Sequence, residues 1–302
     1  MRYFLRIFQE EREKEVARHM TLEDRKVLEA RYNNGQSITG IARAMSFNWS
    51  TIYRELQRGD TGEIDSNGRA GYSAELGQMR LMDCMEAMAA FPNDYFDLAV
   101  VDPPYFSGPE RRGFYGSKVS RIGVHRDYPV SPVWEVPGKE YFDELMRVSR
   151  HYIIWGCNYF SYGFAPGRIV WDKCNQATSF SDCEIAATDL LKTVRLFRYM
   201  WSGMMQGKSI SEGHIMQGNK SLNEVRIHPT QKPIVLYDWI FQNFAKPEQK
   251  VLDTHLGSGS SRIAAYEAGV DFIGFEIDPF YFKTQEERFA NYTNQTSLFH
   301  MR

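Results

Sequence analysis

The chain has 302 residues, of which 43% are hydrophobic and 25% are charged, and its formal net charge is −2 at pH 7. This length allows one sizeable α/β domain and a small additional domain. The balanced charge excludes a uniformly basic nucleic-acid binder, so any contact with nucleic acid must depend on local patches. The 4 cysteines lack paired spacing, which argues against a disulfide scaffold or a metal site and favours a cytoplasmic protein. No apolar run is long enough to span a membrane, and Met1–Arg18 is too charged for a secretory signal.

The amino-terminal residues 1–60 have the pattern of three short helices. Capping residues and apolar spacing predict helices over 21–33, 37–45 and 48–57, with Gly35 between the first two. The stretch from Gly35 onward, GQSITGIARAMSFNWSTIYRELQRG, resembles the helix-turn-helix at the start of certain bacterial transposases.

That resemblance implies that residues 1–60 form a small all-α DNA-binding domain. The start of its third helix would enter the major groove, and the candidate contacts are Trp49, Ser50, Thr51 and Arg54. A helical hairpin that only packs or dimerises is the alternative. Residues 61–75 are polar and rich in glycine, and they are predicted to be a linker to a second domain over 76–302.

A buried strand that ends in an acidic turn is the most informative feature of the chain. Residues 96–101, FDLAVV, form the apolar run expected in a parallel sheet with both faces covered. Asp102 follows the carboxyl end of this strand, where open α/β sheets place their ligands. Pro103 and Pro104 stiffen the turn and leave carbonyls free to accept, while Tyr105 offers a flat face to a planar base. These groups can hold an exocyclic amino group, although an ordinary Asp-Pro turn has the same sequence.

The segment after this turn is long and polar. Residues 106–137 contain glycines and show no periodicity, and a loop of this kind is usually functional or disordered. We expect a mobile arm that closes over DNA, with a simple solvated loop as the alternative. The candidate DNA contacts are Arg111, Arg112, Lys118 and Arg121.

A second strand, a glycine loop and a helix occur near the end of the chain. Residues 250–260, KVLDTHLGSGS, place Gly257 and Gly259 where a backbone can approach a ligand closely. The loop lacks the third glycine of a dinucleotide fingerprint and the lysine of a phosphate loop. Residues 272–278, FIGFEID, form another strand, and Glu276 near its end could accept hydrogen bonds from ribose hydroxyls. An ordinary βα turn and a solvated carboxylate are the alternatives.

In combination these segments resemble the DNA amino-methyltransferases, which use S-adenosylmethionine. DPPY matches the catalytic motif, VLDTHLGSGS the cofactor loop, FIGFEIDPFYF the ribose-binding strand, and HPTQKP at 228–233 a further cofactor-side motif. The catalytic motif comes first, which is the permuted order of the β class. The resemblance covers about residues 70–290 and implies cofactor contacts from Asp83, Thr230, Lys232, Asp253, His255, Gly257, Ser258, Gly259, Ser260 and Glu276.

This sequence departs from the family's pattern at two cofactor positions. His255 lies where the family's loop has an apolar residue, and the segment LMDC, which contains Asp83, replaces the family's Gly-Asp. We therefore expect the cofactor pocket to differ from the family's pattern at His255 and Asp83.

The resemblance also implies a fold and a reaction. The fold would be α/β, a doubly wound and mostly parallel sheet of the class I methyltransferase type with a late antiparallel hairpin. The reaction would be site-specific methylation of adenine N6 in double-stranded DNA, on a base flipped out of the helix. Asp102 and the carbonyl of Pro103 would accept the amino protons, and Tyr105 would stack on the ring. Residues 171–226 occupy the interval in which the β class carries its target-recognition segment.

Several alternatives stay open. Cytosine-N4 enzymes of the family more often carry serine where Asp102 lies here, and a glutamine or RNA methyltransferase usually places its glycine loop before the catalytic motif. A helix-turn-helix regulator with a degenerate methylase body would not need the intact acids and glycines. A homodimer and a partner restriction endonuclease are both compatible with the resemblance.

Overall fold

The structure is a computed structural model that describes residues 20, 22–64, 68–72, 74, 79–105, 128, 134–175, 181–202 and 205–300. Within these ranges no helix is both long and apolar enough to cross a membrane. The chain divides into two compact units, Met1–Gln78 and Met79–Arg302.

Three helices of the first unit surround a small apolar core. They are α1 (Leu22–Asn33), α2 (Ile38–Met45) and α3 (Trp49–Arg58), which confirms the predicted helices. The backbone amide of Gly40 donates to Ser37 Oγ at 3.2 Å, so Ser37 caps α2 as its position predicts. The core contains the fully buried side chains of Leu28, Ile41 and Ile52.

A buried ion pair joins α1 to α3. Arg25 Nε donates to Glu55 Oε1 at 2.7 Å, and these side chains are 0% and 1% exposed. Loss of either partner would break this buried ion pair, which is destabilising.

A two-stranded sheet occupies much of the predicted linker. β1 (Asp60–Ile64) and β2 (Ala70–Tyr72) pair in antiparallel fashion. The Tyr72 side chain is 2% exposed within the helical core, and its hydroxyl donates to Glu55 Oε1 at 3.4 Å. The linker prediction for 61–75 is therefore wrong over these strands, because Tyr72 is buried with the helices, and the first unit is not purely helical.

An eight-stranded sheet forms the centre of the second unit. Its strands are β3 (Met79–Leu81), β4 (Leu98–Val101), β5 (Tyr152–Trp155), β6 (Gly167–Asp172), β7 (Cys183–Thr188), β8 (Val194–Arg198), β11 (Lys250–Asp253) and β12 (Asp271–Glu276). The order is β3-β12-β11-β4-β5-β7-β6-β8. Every neighbouring pair is parallel except the two that involve β7. A separate hairpin pairs β9 (Trp201–Ser202) with β10 (Met205–Gln206).

Helices cover both faces of this sheet. They are α4 (Cys84–Ala89), α5 (Lys139–Val148), α6 (Ile234–Phe244), α7 (Ser260–Ala268) and α8 (Pro279–His300). Along β4, Leu98 and Val100 pack into the core shared with α6 and α7, whereas Ala99 and Val101 pack into the core shared with α4 and α5. The predicted doubly wound, mostly parallel sheet with a late antiparallel hairpin is confirmed, and consecutive strands β6 and β7 form that antiparallel pair.

This topology places three loops beside one another. β12, β11 and β4 are consecutive parallel neighbours, so their carboxyl ends lie at one edge of the sheet. The DPPY turn, the glycine loop and Glu276 follow these ends, which is where ligands bind in open α/β sheets.

Candidate active site

A cleft opens at the carboxyl edge of these three strands. Its walls combine the DPPY turn at 102–105, the loop residues 254–258 and the strand end at Glu276. The HPTQKP segment closes another side through His228 and residues 230–232. The structure therefore brings together four motifs that are widely separated in the chain.

Asp102 belongs to a buried group of four charged side chains. Lys232 forms an ion pair with Asp102 Oδ2, and its Nζ atom also lies 2.9 Å from Glu184 Oε2. Lys173 pairs with Glu184 Oε1, and none of the four side chains is more than 17% exposed. Among the described residues, Asp102 Oδ1 is buried and has no hydrogen-bond partner. Because Asp102 lines the cleft, this oxygen is left to accept a hydrogen bond from a bound amino group.

The pKa shifts in this group favour the charged forms of Glu184 and Lys232 but not that of Asp102. Burial would raise the pKa of Glu184, but the ammonium groups of Lys232 and Lys173 lower it to about 2. Burial would lower the pKa of Lys232, but the two carboxylates raise it above its usual value. For Asp102, burial raises the pKa and the ammonium of Lys232 opposes the shift.

A second tyrosine stacks on the tyrosine of the DPPY turn. The rings of Tyr105 and Tyr159 are 4.6 Å apart and inclined by only 6°. Gly156, with φ of 69°, lies so close to Tyr105 that a side chain there would collide with the ring. Two rings in van der Waals contact leave no room for a third between them. A base can therefore stack on this face of Tyr105 only after Tyr159 moves away.

Glu276 connects the end of β12 to the glycine loop. Its Oε2 accepts from the Gly257 amide at 2.8 Å, and its Oε1 accepts from the amides of Ile277 and Asp278 at 3.0 and 2.9 Å. Gly257 and Gly259 have φ of 52° and 69°, which explains why glycine occupies both positions. Each carboxylate oxygen has about two lone pairs, so Oε2, which accepts from one amide, can also accept from a ligand hydroxyl.

Several other predicted cofactor residues line the cleft. Asp83 Oδ1 accepts from the Met85 amide at 2.8 Å and thereby caps α4. His255 Nδ1 lies 2.9 Å from Thr254 Oγ1, and burial lowers its pKa to about 4, so its imidazole is neutral near pH 7. Asp83, His255, Thr230, Ser258, Gly257 and Glu276 are all part of the lining.

Three predicted cofactor residues lie behind the cleft instead. Asp253 is 2% exposed, and its oxygens accept from the His255 amide at 3.0 Å and from Ser261 Oγ at 2.5 Å. Ser260 is also 2% exposed, and its Oγ lies 3.1 Å from an Arg288 nitrogen. Gly259 caps α7. These residues hold the loop from its interior side, and their direct contact with the cofactor stays a prediction.

Lys232 lines the cleft, and its ammonium pairs with Asp102 and Glu184. Its contact with the cofactor stays a prediction. Glu184 and Tyr159 were not predicted. The only signal for Glu184 is one acidic residue in the otherwise mostly apolar strand CEIAAT, and nothing local identifies its partner.

The predicted DNA contacts of the first unit lie at the surface of α3. Trp49, Ser50 and Arg54 are exposed, and Thr51 is half-buried. Trp49 stacks on exposed Tyr53 at 5.0 Å with 9° between the rings, as residues four apart on a helix can do. The predicted arm contacts Arg111, Arg112, Lys118 and Arg121 lie outside the described residues.

Several known proteins are similar to this chain. YubD of Escherichia coli (strain K12) is 26% identical over 227 residues, which are 69% of this chain and 88% of YubD. The type II methyltransferase M.HinfI of Haemophilus influenzae is 24% identical over 243 residues, which are 68% of this chain and 66% of M.HinfI. The solved M1.HpyAVI–SAM complex is 20% identical with a TM-score of 0.40, and the match covers 70% of this chain and 98% of that one. The cytosine-N4-specific PvuII DNA methyltransferase is 14% identical with a TM-score of 0.41, covering 70% and 85%.

Two family models match the chain. A helix-turn-helix domain matches residues 17–59, which includes the three helices of the first unit. The DNA methylase family, which groups N6 and N4 enzymes, matches residues 121–287, more than half of the chain. The chain therefore belongs to the N6/N4 DNA methylase family and carries a helix-turn-helix in front of its catalytic unit.

Proposed function

We propose that this protein transfers a methyl group from S-adenosylmethionine to the N6 amino group of adenine in double-stranded DNA. The observation that carries the proposal is the buried acceptor Asp102 Oδ1, which has no hydrogen-bond partner within the described part of the chain, in a residue that shares a cleft with Tyr105 and Glu276. Membership of the N6/N4 family supports methylation of an exocyclic amine. The carboxylate of Asp102 supports adenine, because cytosine-N4 enzymes more often have serine at that position.

The loop side of the cleft fits an adenosyl cofactor. Glu276 Oε2 can accept from one further donor, such as a ribose hydroxyl, Ile277 adds an apolar surface beside it, and Asp83 presents a carboxylate on another wall. S-adenosylmethionine supplies an activated methyl group on a sulfonium centre. The protein's part is to hold that group and the base in line, which converts a bimolecular encounter into a positioned one.

The chemistry of the base follows from the opposite wall. An exocyclic amine of adenine is a poor nucleophile, because its lone pair is delocalised into the ring. The base must leave the duplex to reach the cleft, which costs a few kcal/mol, and Tyr159 must move from the face of Tyr105. Asp102 Oδ1 and the Pro103 carbonyl then accept the two amino protons and draw the nitrogen toward tetrahedral geometry. The nitrogen lone pair would then form the new N–C bond as the sulfur–methyl bond breaks, which would leave a neutral thioether. The proton released by the methylated nitrogen would pass to solvent.

Two parts of the chain are proposed to contact DNA. The exposed face of α3, with Trp49, Ser50 and Arg54, suits the major groove. The segment 171–226 of the catalytic unit is proposed to choose the target, because the modified base must reach Asp102 and Tyr105 in the same unit. The first unit then mainly adds affinity through effective concentration.

A transfer assay tests this function. Purified protein, isotopically labelled S-adenosylmethionine and unmethylated plasmid DNA are incubated, and the DNA is digested to nucleosides for mass spectrometry. We expect labelled N6-methyladenine with the wild type and none with Asp102→Ala, in which Lys232 keeps Glu184 as its partner. Label on cytosine N4 instead would identify cytosine as the substrate. Absence of label from both bases would refute the proposal.

A further inference from the structure

The charged group around Asp102 alternates in sign along its whole length. Asp102 pairs with Lys232, Lys232 also contacts Glu184, and Glu184 pairs with Lys173. The four residues come from the turn after β4, the HPTQKP segment, strand β7 and the turn after β6. Two anions and two cations leave no net charge, which permits such a group to exist in the interior of a protein.

The pairing also determines which oxygen of the Asp102 carboxylate is left for a ligand. Lys232 engages Oδ2, so Oδ1 is the only oxygen of this carboxylate without a partner among the described residues. Lys232 is itself held from the other side by Glu184, and its side chain is only 3% exposed. A lysine ammonium at the end of a flexible stem would not keep this geometry without the second carboxylate.

We propose that Lys232 and Glu184 are positioning residues of the transfer reaction: Lys232 keeps Asp102 ionised with Oδ1 toward the target amine, and Glu184 holds Lys232 in place. This inference rests on the proposed function for the role of Asp102. Neither residue needs to touch the base or the cofactor. Lys232 acts on Asp102 directly, and Glu184 acts through Lys232.

The surroundings of Asp102 contain other titratable groups. Beyond its two partners, those in the described part of the chain are Lys173, Tyr105, Tyr141, Tyr237 and Asp253. Burial raises the pKa of all three tyrosines well above the usual value, so they remain neutral. Lys173 is paired with Glu184, and Asp253 bonds within the glycine loop. Lys232 and Glu184 are therefore the charges that dominate the titration of Asp102.

Lys232 and Glu184 should shift the pKa of Asp102 in opposite directions. A neighbouring cation favours an ionised carboxylate, and a neighbouring anion disfavours it. Lys232→Met leaves Asp102 close to Glu184 without a cation, so Asp102 should bind a proton at higher pH. Glu184→Gln removes the anion and leaves Lys232 to Asp102 alone, so Asp102 should become more acidic and a weaker acceptor.

The experiment measures this titration in two ways with the full-length protein. The first is the acidic limb of kcat against pH, with saturating S-adenosylmethionine and DNA. The second is isotope-edited infrared spectroscopy of 13C-aspartate protein, as the difference between a protein with Asp102 and its Asp102→Asn counterpart. The second measurement needs no turnover. Exposed Lys283 and Glu287 on α8 provide matched controls, Lys283→Met and Glu287→Gln.

We expect Lys232→Met to raise the apparent pKa of Asp102 by about one unit or more and Glu184→Gln to lower it. Lys232→Arg should keep it within about half a unit of the wild type, and both controls should leave it unchanged. The dissociation constant for S-adenosylmethionine should stay within about twofold in all variants.

Two results would overturn the inference. Variants that only lower the melting temperature, with no shift in Asp102 titration, would assign the group a purely structural role. If Lys232→Met loses cofactor binding while the titration of Asp102 is unchanged, Lys232 is a cofactor-binding residue and does not position Asp102. If Lys232→Met does not fold, Glu184→Gln alone decides. A lower pKa of Asp102 in that variant supports the inference, and an unchanged pKa contradicts it. A wild type that methylates neither base refutes the proposed function, while the infrared titration still tests this inference.

Discussion

Replacement of Glu276 by glutamine should weaken binding of S-adenosylmethionine without unfolding the catalytic unit. The carboxylate accepts three backbone amides, one from Gly257 and two from residues 277 and 278. In Glu276→Gln one of the two terminal atoms becomes an NH2 group, which faces an amide donor and cannot accept from it. At least one charge-assisted bond is lost, worth about 1.5–3 kcal/mol.

This loss corresponds to a decrease in affinity of about ten- to 150-fold if the bound state requires the loop to be held by Glu276. Isothermal titration calorimetry with S-adenosylmethionine measures the dissociation constant, and thermal unfolding of the same samples reports the stability. Glu287→Gln, at a carboxylate that is 63% exposed, is the control for charge. A dissociation constant within about twofold of the wild type, together with a lower melting temperature, would show that Glu276 only supports the fold.

Three further predictions follow from particular contacts. Trp49→Ala combined with Arg54→Ala should lower affinity for all DNA sequences in binding titrations, with the methylated sequence unchanged; an altered sequence would show that α3 reads part of the site. Glu55→Ala should destabilise the first unit by about 3–5 kcal/mol in chemical denaturation, because Arg25 stays buried without this carboxylate, and a loss below about 1 kcal/mol would contradict the reasoning. Burial raises the pKa of Asp253 to about 7, so the folded state binds this proton more tightly than the unfolded chain, and stability falls as pH rises from about 4 to about 7. The stability of Asp253→Asn relative to the wild type should therefore increase by roughly 1–3 kcal/mol between pH 5 and pH 8, and a constant difference would exclude this titration.

The strands that carry the site could be predicted because their signals are local. An apolar run followed by a polar residue indicates a buried strand and its end, as at Asp102 and Glu276. The rule that ligands bind at the carboxyl ends of parallel strands then places both residues in one cleft. The helix beginning after Ser37 was predicted for a similar reason, since capping depends on residues three positions apart.

Other features depend on contacts that no local pattern encodes. Glu184 lies within a strand and meets Lys232 only because β7 inserts between β5 and β6. Motif resemblance assigned Lys232 to the cofactor and did not indicate its pairing with Asp102, since a motif fixes a position in the chain but not the contacts of a side chain. The segment 61–75 has the glycine and polar residues of a linker, yet its described residues 61–64 and 70–72 lie in two paired strands. The burial of Tyr72 with the helices is the feature that no local pattern indicates.

The most direct test of the central claim is the modified-base content of DNA from a host that lacks its own DNA methylases. The host expresses either the wild-type chain or Asp102→Ala at matched levels, and modified bases are mapped along the genome. The wild type should produce N6-methyladenine at one recurring short sequence, and Asp102→Ala should produce none. Equal methylation by both proteins would contradict the assignment of Asp102 as the acceptor for the target amine.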